Sequence, residues 1–281
     1  YCSKIAGDQK TIYKKEMESL DSLDSFQLSE DKRLLQLGNI VYPIPDEDCE
    51  ISECYGDEGF DRCFKETKGP TYSYRQDIPE FLQKETLGNY SCKMKAVLDS
   101  LDKSEGIVFI YTNWIKGGLL PMILALEQNG YQRYDKRVTL QSESKSKLNG
   151  SSYMVISNIG GLTTNVEEEL RVLCSQENSR GSKIKIVLGT SVAAEGLDFK
   201  NVRSIHILEP WRNINKLEQV IGRGVRNCSH KHLEPEERNV TIYLHNMMLS
   251  STQGSFDTYL YNYCEEKATN IGVIENILKE E

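Results

Sequence analysis

The chain has 281 residues, 38% hydrophobic and 27% charged, with 34 Lys and Arg against 42 Asp and Glu and a formal net charge of −8. This composition suits a globular protein with a sizeable core, and no run of about 18 apolar residues is present to span a bilayer. The eight Cys follow no paired short spacing and no signal-peptide pattern precedes them, so reduced thiols in an intracellular chain are expected.

The charge is uneven. Asp46, Glu47, Asp48, Glu50, Glu53, Asp57, Glu58 and Asp61 stand together without a Lys or Arg among them, and their number equals the whole net charge. The acidic balance therefore does not argue against a nucleic-acid partner, because phosphate contacts need a local basic groove and not a basic protein. The run itself reads as a solvated loop.

In chain order, residues 1–85 are polar and punctuated by Ser, Asp and Pro, with helical spacing around Ile12–Met17 and Leu34–Leu37 and then the extended Ile40-Val41-Tyr42-Pro43-Ile44-Pro45. This stretch reads as a connecting extension. Over residues 86–250, apolar runs of four to six residues alternate with helical patterns, which predicts βαβ units around a buried parallel sheet. The predicted strands are 107–111, 153–157, 184–188, 204–208 and 240–245, and the helices 93–99, 119–129, 166–175 and 215–222. Pro121 suits the first turn of its helix and Gly130 stops it. Residues 251–281 carry a last helical pattern from Phe256, with apolar positions at Tyr259, Tyr263, Ile271, Ile274, Ile277 and Leu278.

Three segments carry chemistry. Gly189-Thr190-Ser191-Val192-Ala193-Ala194-Glu195-Gly196-Leu197-Asp198-Phe199 leaves a predicted strand for a loop of small residues, expected at the carboxyl edge of the sheet where open α/β sheets bind ligands. Small residues let backbone N–H groups approach a phosphate, and a hydroxyl and a carboxylate at fixed offsets can hold phosphate or ribose oxygens. A local turn capped by Asp198 is the competing reading. One strand later, Gln219-Val220-Ile221-Gly222-Arg223-Gly224-Val225-Arg226 places two Arg three apart, with glycines at 222 and 224 expected to clear space for a polyanion. The third segment, Ile107-Val108-Phe109-Ile110-Tyr111-Thr112-Asn113-Trp114 followed by Gly117-Gly118, is compatible with backbone phosphate contacts at a helix start; Phe109 and Trp114 read as core.

In this order and spacing the segments resemble motifs IV, V and VI of superfamily 2 helicases and translocases, over about residues 86–246. The context of Leu37-Gly38-Asn39-Ile40-Val41-Tyr42-Pro43 and Arg226-Asn227-Cys228-Ser229-His230 is similar to helicase-like transcription and nucleoside-triphosphatase proteins of large nucleocytoplasmic DNA viruses, such as the poxvirus early transcription factor small subunit and its relatives. The resemblance implies the second RecA-like domain, a parallel α/β sheet sandwiched by helices, with a mixed N-terminal extension and C-terminal helices. It implies that Arg226 is an arginine finger for the γ-phosphate, with Arg223 beside it and Gln219 near the nucleotide or its attacking water. It also implies that Gly196, Asp198 and Gly222 lie at the nucleotide, that Thr190 touches the nucleic-acid backbone, and that Thr112 and Asn113 are strand contacts. Glu195 stands where several branches carry Arg, so no role passes to it.

No Gly-Lys dipeptide occurs, so the chain has no phosphate loop. ATP and Mg²⁺ are therefore expected to be held mainly by an absent first RecA-like domain. Asp46-Glu47-Asp48-Cys49 reads as acidic loop and not as a metal-binding box, because prolines interrupt the strand that should precede it. A chain opening on Tyr1 is expected to be a fragment, inactive alone, of a longer ATP-driven enzyme acting on DNA or RNA. That enzyme would work in viral transcription or DNA processing, with transcription machinery as a further partner, in the host cytoplasm or the virion. A duplex-DNA translocase that does not unwind and an inert scaffold binding nucleic acid or a polymerase are the alternatives. Metal binding by Cys49, Cys54 and Cys63, or by Cys228, His230 and His232, is not expected from their spacing; His230 is expected to order the chain by hydrogen bonding.

Overall fold

The elements follow the apolar patterning. β1 (Cys2–Lys4) leads into α1 (Gly7–Glu18), α2 (Leu28–Asn39) and α3 (Gly56–Cys63), and β2 (Phe64–Glu66) pairs antiparallel with β3 (Tyr72–Tyr74). Next come α4 (Cys92–Leu101), β4 (Ile107–Tyr111), a π-helical turn at Ile115–Leu119, α5 (Leu120–Gln128), β5 (Gln132–Arg133), β6 (Ser152–Ile156) and α6 (Val166–Leu173). The chain closes with β7 (Ile186–Gly189), β8 (Val202–Ile207), α7 (Ile214–Gly224), β9 (Thr241–Leu244), β10 (Asn246–Met248) and α8 (Phe256–Glu280). This computed structural model describes residues 1–19, 28–43, 50–67, 69–135, 140, 151–163, 165–191 and 197–280. The acidic tetrapeptide 46–49 and Gly196 lie outside them.

Six strands form one parallel sheet in the order β5-β6-β7-β4-β8-β9. β4 is central and buried at all five positions, as a strand covered on both faces must be. Its alternation divides the core. Val108 and Ile110 point to one side with Leu98, Leu120 and Leu124, whereas Ile107, Phe109 and Tyr111 point to the other with Leu173, Leu217 and Val220. Helices α4 and α5 thus cover one face, and α6 and α7 the other: this is the helix-sandwiched parallel sheet that the patterning predicts. The five predicted strands and four intervening helices fall within two residues of the observed ends. β5, two residues long, carries too short a pattern to be read from sequence.

Segments on either side of the sheet region pack onto it. Ile40, Tyr42, Phe60 and Phe64 join the core under α4 and α5, and α1, α2 and α8 share a third cluster through Tyr13, Leu34, Leu37, Phe256 and Leu260. Ser91 caps α4 by accepting from Met94 N at 3.1 Å, Pro121 lies in the first turn of α5, and Gly130 takes φ +89° to end it. No helix among the described residues is long and apolar enough to cross a membrane.

One buried pair makes stability depend on pH. His206 on β8 and His245 beyond β9 are linked Nδ1 to Nε2 at 2.9 Å, with the His206 ring stacked on Tyr243. Ser100 Oγ donates to Val97 O, so it accepts from His206 Nε2–H, and His245 Nε2–H then donates to His206 Nδ1. Burial pushes His206 down from the ordinary 6.5 to about 4 and His245 well down as well. Below pH 6.5 the unfolded chain takes up protons that the folded chain refuses, so stability is lost as the pH falls toward 4. For His206 alone the loss between pH 7 and pH 5 is about 2 kcal/mol. Glu169 and Glu209, raised by burial, act in the opposite sense. The check is therefore the difference in urea-unfolding free energy between wild type and His206→Phe, which should shrink by that amount at pH 5. A pH-independent difference would contradict the assignment.

Candidate functional site

The loop after β7 starts at the carboxyl edge, where Thr190 N donates to Ile156 O, but it does not stay there. Residues 197–201 stand at the start of β8, where Phe199 N donates to Arg223 O and Asn201 N to Ser229 O. Thr190 and Asp198 therefore stand at opposite ends of the sheet, about a strand length of 20 Å apart for six residues. This corrects the expectation that the whole segment lines the carboxyl edge. A parallel connection must return the chain to the amino end of the next strand, so Asp198 stands there and not at the carboxyl edge.

At the amino end of β8 the two motifs meet. Arg226 Nη2 lies 2.7 Å and Arg223 Nη1 3.7 Å from Asp198 Oδ1, and Arg223 Nη1 also donates to Leu197 O at 3.2 Å. The side chains of Arg226 and Asp198 are about half exposed, at 48% and 56%, so the Arg226 guanidinium is accessible from solvent. Arg223 is at 15%, and its Nε is buried without a partner. The sequence produces this placement locally. Asn213 caps α7 by accepting from Asn215 N, Leu217 and Val220 bind the helix to the sheet, and the opposite turn carries Gln219 exposed to solvent. Arg223 lies in the last turn of the helix, and Arg226 follows the helix end with Nε donating to Gly222 O at 3.0 Å.

The two glycines differ. A Cβ at Gly222 would meet nothing within 4 Å, so this position leaves space beside both guanidiniums. At Gly224 it would meet Val202 and Ile205 side chains at 3.1 Å, so Gly224 permits close helix–strand packing and does not clear room for a ligand. Gly222→Ala should accordingly be neutral or gain up to about 1 kcal/mol from helix propensity. Gly224→Ala should lose about 1–3 kcal/mol by overpacking. Urea midpoints for both variants check the contrast; equal midpoints would contradict it.

At the carboxyl edge, Thr190 is buried with its hydroxyl unpaired, and Ser191 next to it is exposed. Thr112 is also buried, its hydroxyl donating to Glu209, while Asn113 presents its side chain to solvent. Gly117 and Gly118 do not form an open phosphate-binding helix start. Both are buried, Gly117 O accepts from Asn39 Nδ2 at 3.2 Å, and a Cβ on Gly118 would collide with the Thr112 hydroxyl. Phe109 is core, whereas Trp114 is half-buried with Nε1 unpaired.

Sequence reasoning missed the polar group behind this edge. Glu209 accepts from the Thr112 hydroxyl, Asn39 Nδ2 and, at 3.1 Å, Asn113 N. Asn39 Oδ1 in turn accepts from Lys93 Nζ, which pairs with Asp257 at 2.7 Å. Burial raises the Glu209 carboxyl, and the Thr112 and Asn39 hydrogen bonds draw it back. A Glu closing an apolar strand just before Pro210 was the one available signal. His230 bonds Val202 O through Nε2 at 2.6 Å and Ser229 Oγ through Nδ1, ordering the chain after α7 as expected. Among the described residues, no group of three His, Cys, Asp or Glu is placed to hold a metal ion.

Residues 92–228 match the model of the helicase conserved C-terminal domain. The mimivirus protein named "Putative ATP-dependent RNA helicase R563", from Acanthamoeba polyphaga mimivirus, is 33% identical over 159 residues, 56% of this chain and 26% of that protein. "Putative helicase 087L" of Invertebrate iridescent virus 3 is 28% identical over 236 residues, 80% of this chain and 23% of its own length. The early transcription factor large subunit homolog of African swine fever virus (strain Badajoz 1971 Vero-adapted) is 30% identical over 171 residues, 56% of this chain and 15% of that protein. The chain thus spans about a quarter or less of the length of these relatives. Among solved structures, the C-terminal part of the Fun30 ATPase domain superposes with a TM-score of 0.54 over 94% of this chain and 87% of that one; at 12% identity this is a likeness of fold.

Proposed function

We propose that residues 92–228, which match the helicase conserved C-terminal domain, are the second RecA-like domain of a superfamily 2 helicase or translocase, and that the chain is this half of an ATP-dependent enzyme acting on nucleic acid. The observation that carries the reading is the meeting of Asp198, Arg223 and Arg226 beside the open space at Gly222. Two guanidiniums at one accessible point suit the oxygens of a γ-phosphate presented from a facing domain.

The residues fit one end of a nucleotide. Arg223 has a buried Nε that lacks an acceptor, and Arg226, whose Nε bonds Gly222 O, turns its Nη2 to an exposed ion pair that an incoming phosphate can displace. Arg226 acts as the finger that neutralises charge developing in transfer, Arg223 orients it, and Gln219 stands on the exposed turn of α7 near the nucleotide or its attacking water. Asp198 stores Arg226 between turnovers. When bound, ATP with Mg²⁺ supplies the phosphoryl group, and it would be held mainly by the first RecA-like domain. Residues 1–85 connect toward that domain and residues 251–281 form a C-terminal helical segment. Nucleic acid tracks along the carboxyl edge by Thr190 and Asn113, and the parent protein acts in viral transcription or DNA processing alongside transcription machinery.

The reading is tested by ATP turnover of the full-length protein with single-stranded DNA, duplex DNA and RNA as activators. Stimulation by at least one is expected, and the activator names the track. Absence of turnover with all three in a folded protein would leave a binding module instead.

A further inference from the structure

Glu209 lies at the carboxyl edge, on the connection that leads into α7. It sits two residues after β8 and four before the Asn213 cap of α7, the helix that carries Arg223 in its last turn. Its carboxylate is fully buried and has three donors: the Thr112 hydroxyl and Asn39 Nδ2 on Oε1, and Asn113 N at 3.1 Å on Oε2. The following Trp211 packs edge-on against Tyr111 at 5.1 Å, so the start of α7 and the end of β4 are also joined by ring contact.

The anchor behind Glu209 is a chain of buried hydrogen bonds. Asn39 bridges Glu209 to Lys93 and to Gly117 O, and Lys93 Nζ donates to Leu208 O at 2.8 Å, the carbonyl next to Glu209. The Thr112 hydroxyl is closed in from the other side by Gly118, where any side chain would collide with it. The turn after β4 is therefore held by a side chain that belongs to the approach to α7. Within the pair Thr112 and Asn113, only Asn113 has its side chain in solvent, and Glu209 grips the backbone N–H of that residue.

We infer that Glu209 is a positioning residue: it fixes the backbone of Asn113 for contact with a nucleic-acid strand and ties that contact to the helix bearing Arg223. This rests on the proposed reading that nucleic acid passes the carboxyl edge at Asn113. A carboxylate suits the task because its two oxygens accept from three converging donors at once, which a neutral amide with one acceptor oxygen does not. A strand that moves Asn113 would press on the start of α7, and closure of α7 on a nucleotide would in turn move Asn113.

The test uses the full-length protein, free of nucleotide, and fluorescence anisotropy of labelled oligo(dT), its RNA counterpart and a DNA duplex, well below the melting temperature of each variant. Glu209→Met should weaken binding of the best probe by about tenfold, with Glu209→Gln, which keeps one acceptor oxygen, falling between it and wild type. In an Asn113→Ala background the Glu209→Met effect should shrink to about twofold or less, because the turn then has no side chain to present. If Glu209→Met does not fold, Glu209→Gln carries the same cycle. Equal losses in both backgrounds would show that Glu209 only supports the fold and overturn the inference, as would unchanged affinity in both variants. Wild-type stimulation by nucleic acid together with an additive cycle would remove the inference alone; absence of probe binding by wild type would remove it together with the proposed function.

Discussion

Replacing Arg226 by Ala in the full-length protein is expected to lower nucleic-acid-stimulated ATP turnover by about 10³, the lower end for a lost arginine finger. The magnitude is attributable to chemistry, because the side chain is half exposed and its partner Asp198 is more exposed still. An exposed ion pair of this kind contributes about 1 kcal/mol or less to stability, so the variant should melt close to wild type. Arg226→Lys should recover little, since a point charge does not reproduce the planar fork that contacts two phosphate oxygens together. The guanidinium is bound to Asp198, and on the proposed reading a γ-phosphate would exchange one anionic partner for another. Turnover within a few-fold of wild type in a folded Arg226→Ala protein would refute the finger assignment while leaving the fold untouched.

Asp257→Ala should cost about 3 kcal/mol of folding free energy, a large share of what holds a domain together. Lys93 and Asp257 are 0% and 2% exposed, and their 2.7 Å pair joins α4 to the first turn of α8. The carboxylate also accepts from Met247 N at 3.0 Å. Its removal leaves an ammonium in the interior with Leu208 O and Asn39 Oδ1 as neutral acceptors and with Glu209 as the remaining nearby negative charge. That second carboxylate keeps the cost at the low end of the range for a broken buried pair. The double variant Lys93→Met with Asp257→Leu removes both charges and fills the volume, so it should regain more than half of the loss. Urea unfolding of the three proteins decides it. A loss under about 1 kcal/mol for Asp257→Ala would mean that water reaches the ammonium.

Where patterning is local, the amino-acid order determined the outcome. Residues 107–111 form a central strand because five successive apolar side chains, alternating between two faces, can be satisfied only by cover on both. The boundaries of α5 were readable because Pro121 and Gly130 have backbone preferences that act within a turn. The sequence showed Asp198 and the two Arg a single strand and helix apart, but the loop was expected at the carboxyl edge, and the fold places their meeting at the amino end of β8 because a parallel connection returns the chain there.

Tertiary structure alone decided what the polar residues do. Gly222 and Gly224 look alike in sequence, yet one faces open space and the other touches β8, because a helix turns about 100° per residue and only one of the two positions faces the sheet. Thr112 and Asn113 are neighbours with opposite exposures, set by the pleat of the strand that they leave. Asn39, Lys93, Glu209 and Asp257 lie far apart in the chain and show no common period, and each reads singly as a surface residue. They are buried because three helices and two loops converge at one edge of the sheet. There every donor and acceptor must find its partner within the protein, and no local pattern records which distant residue will provide it.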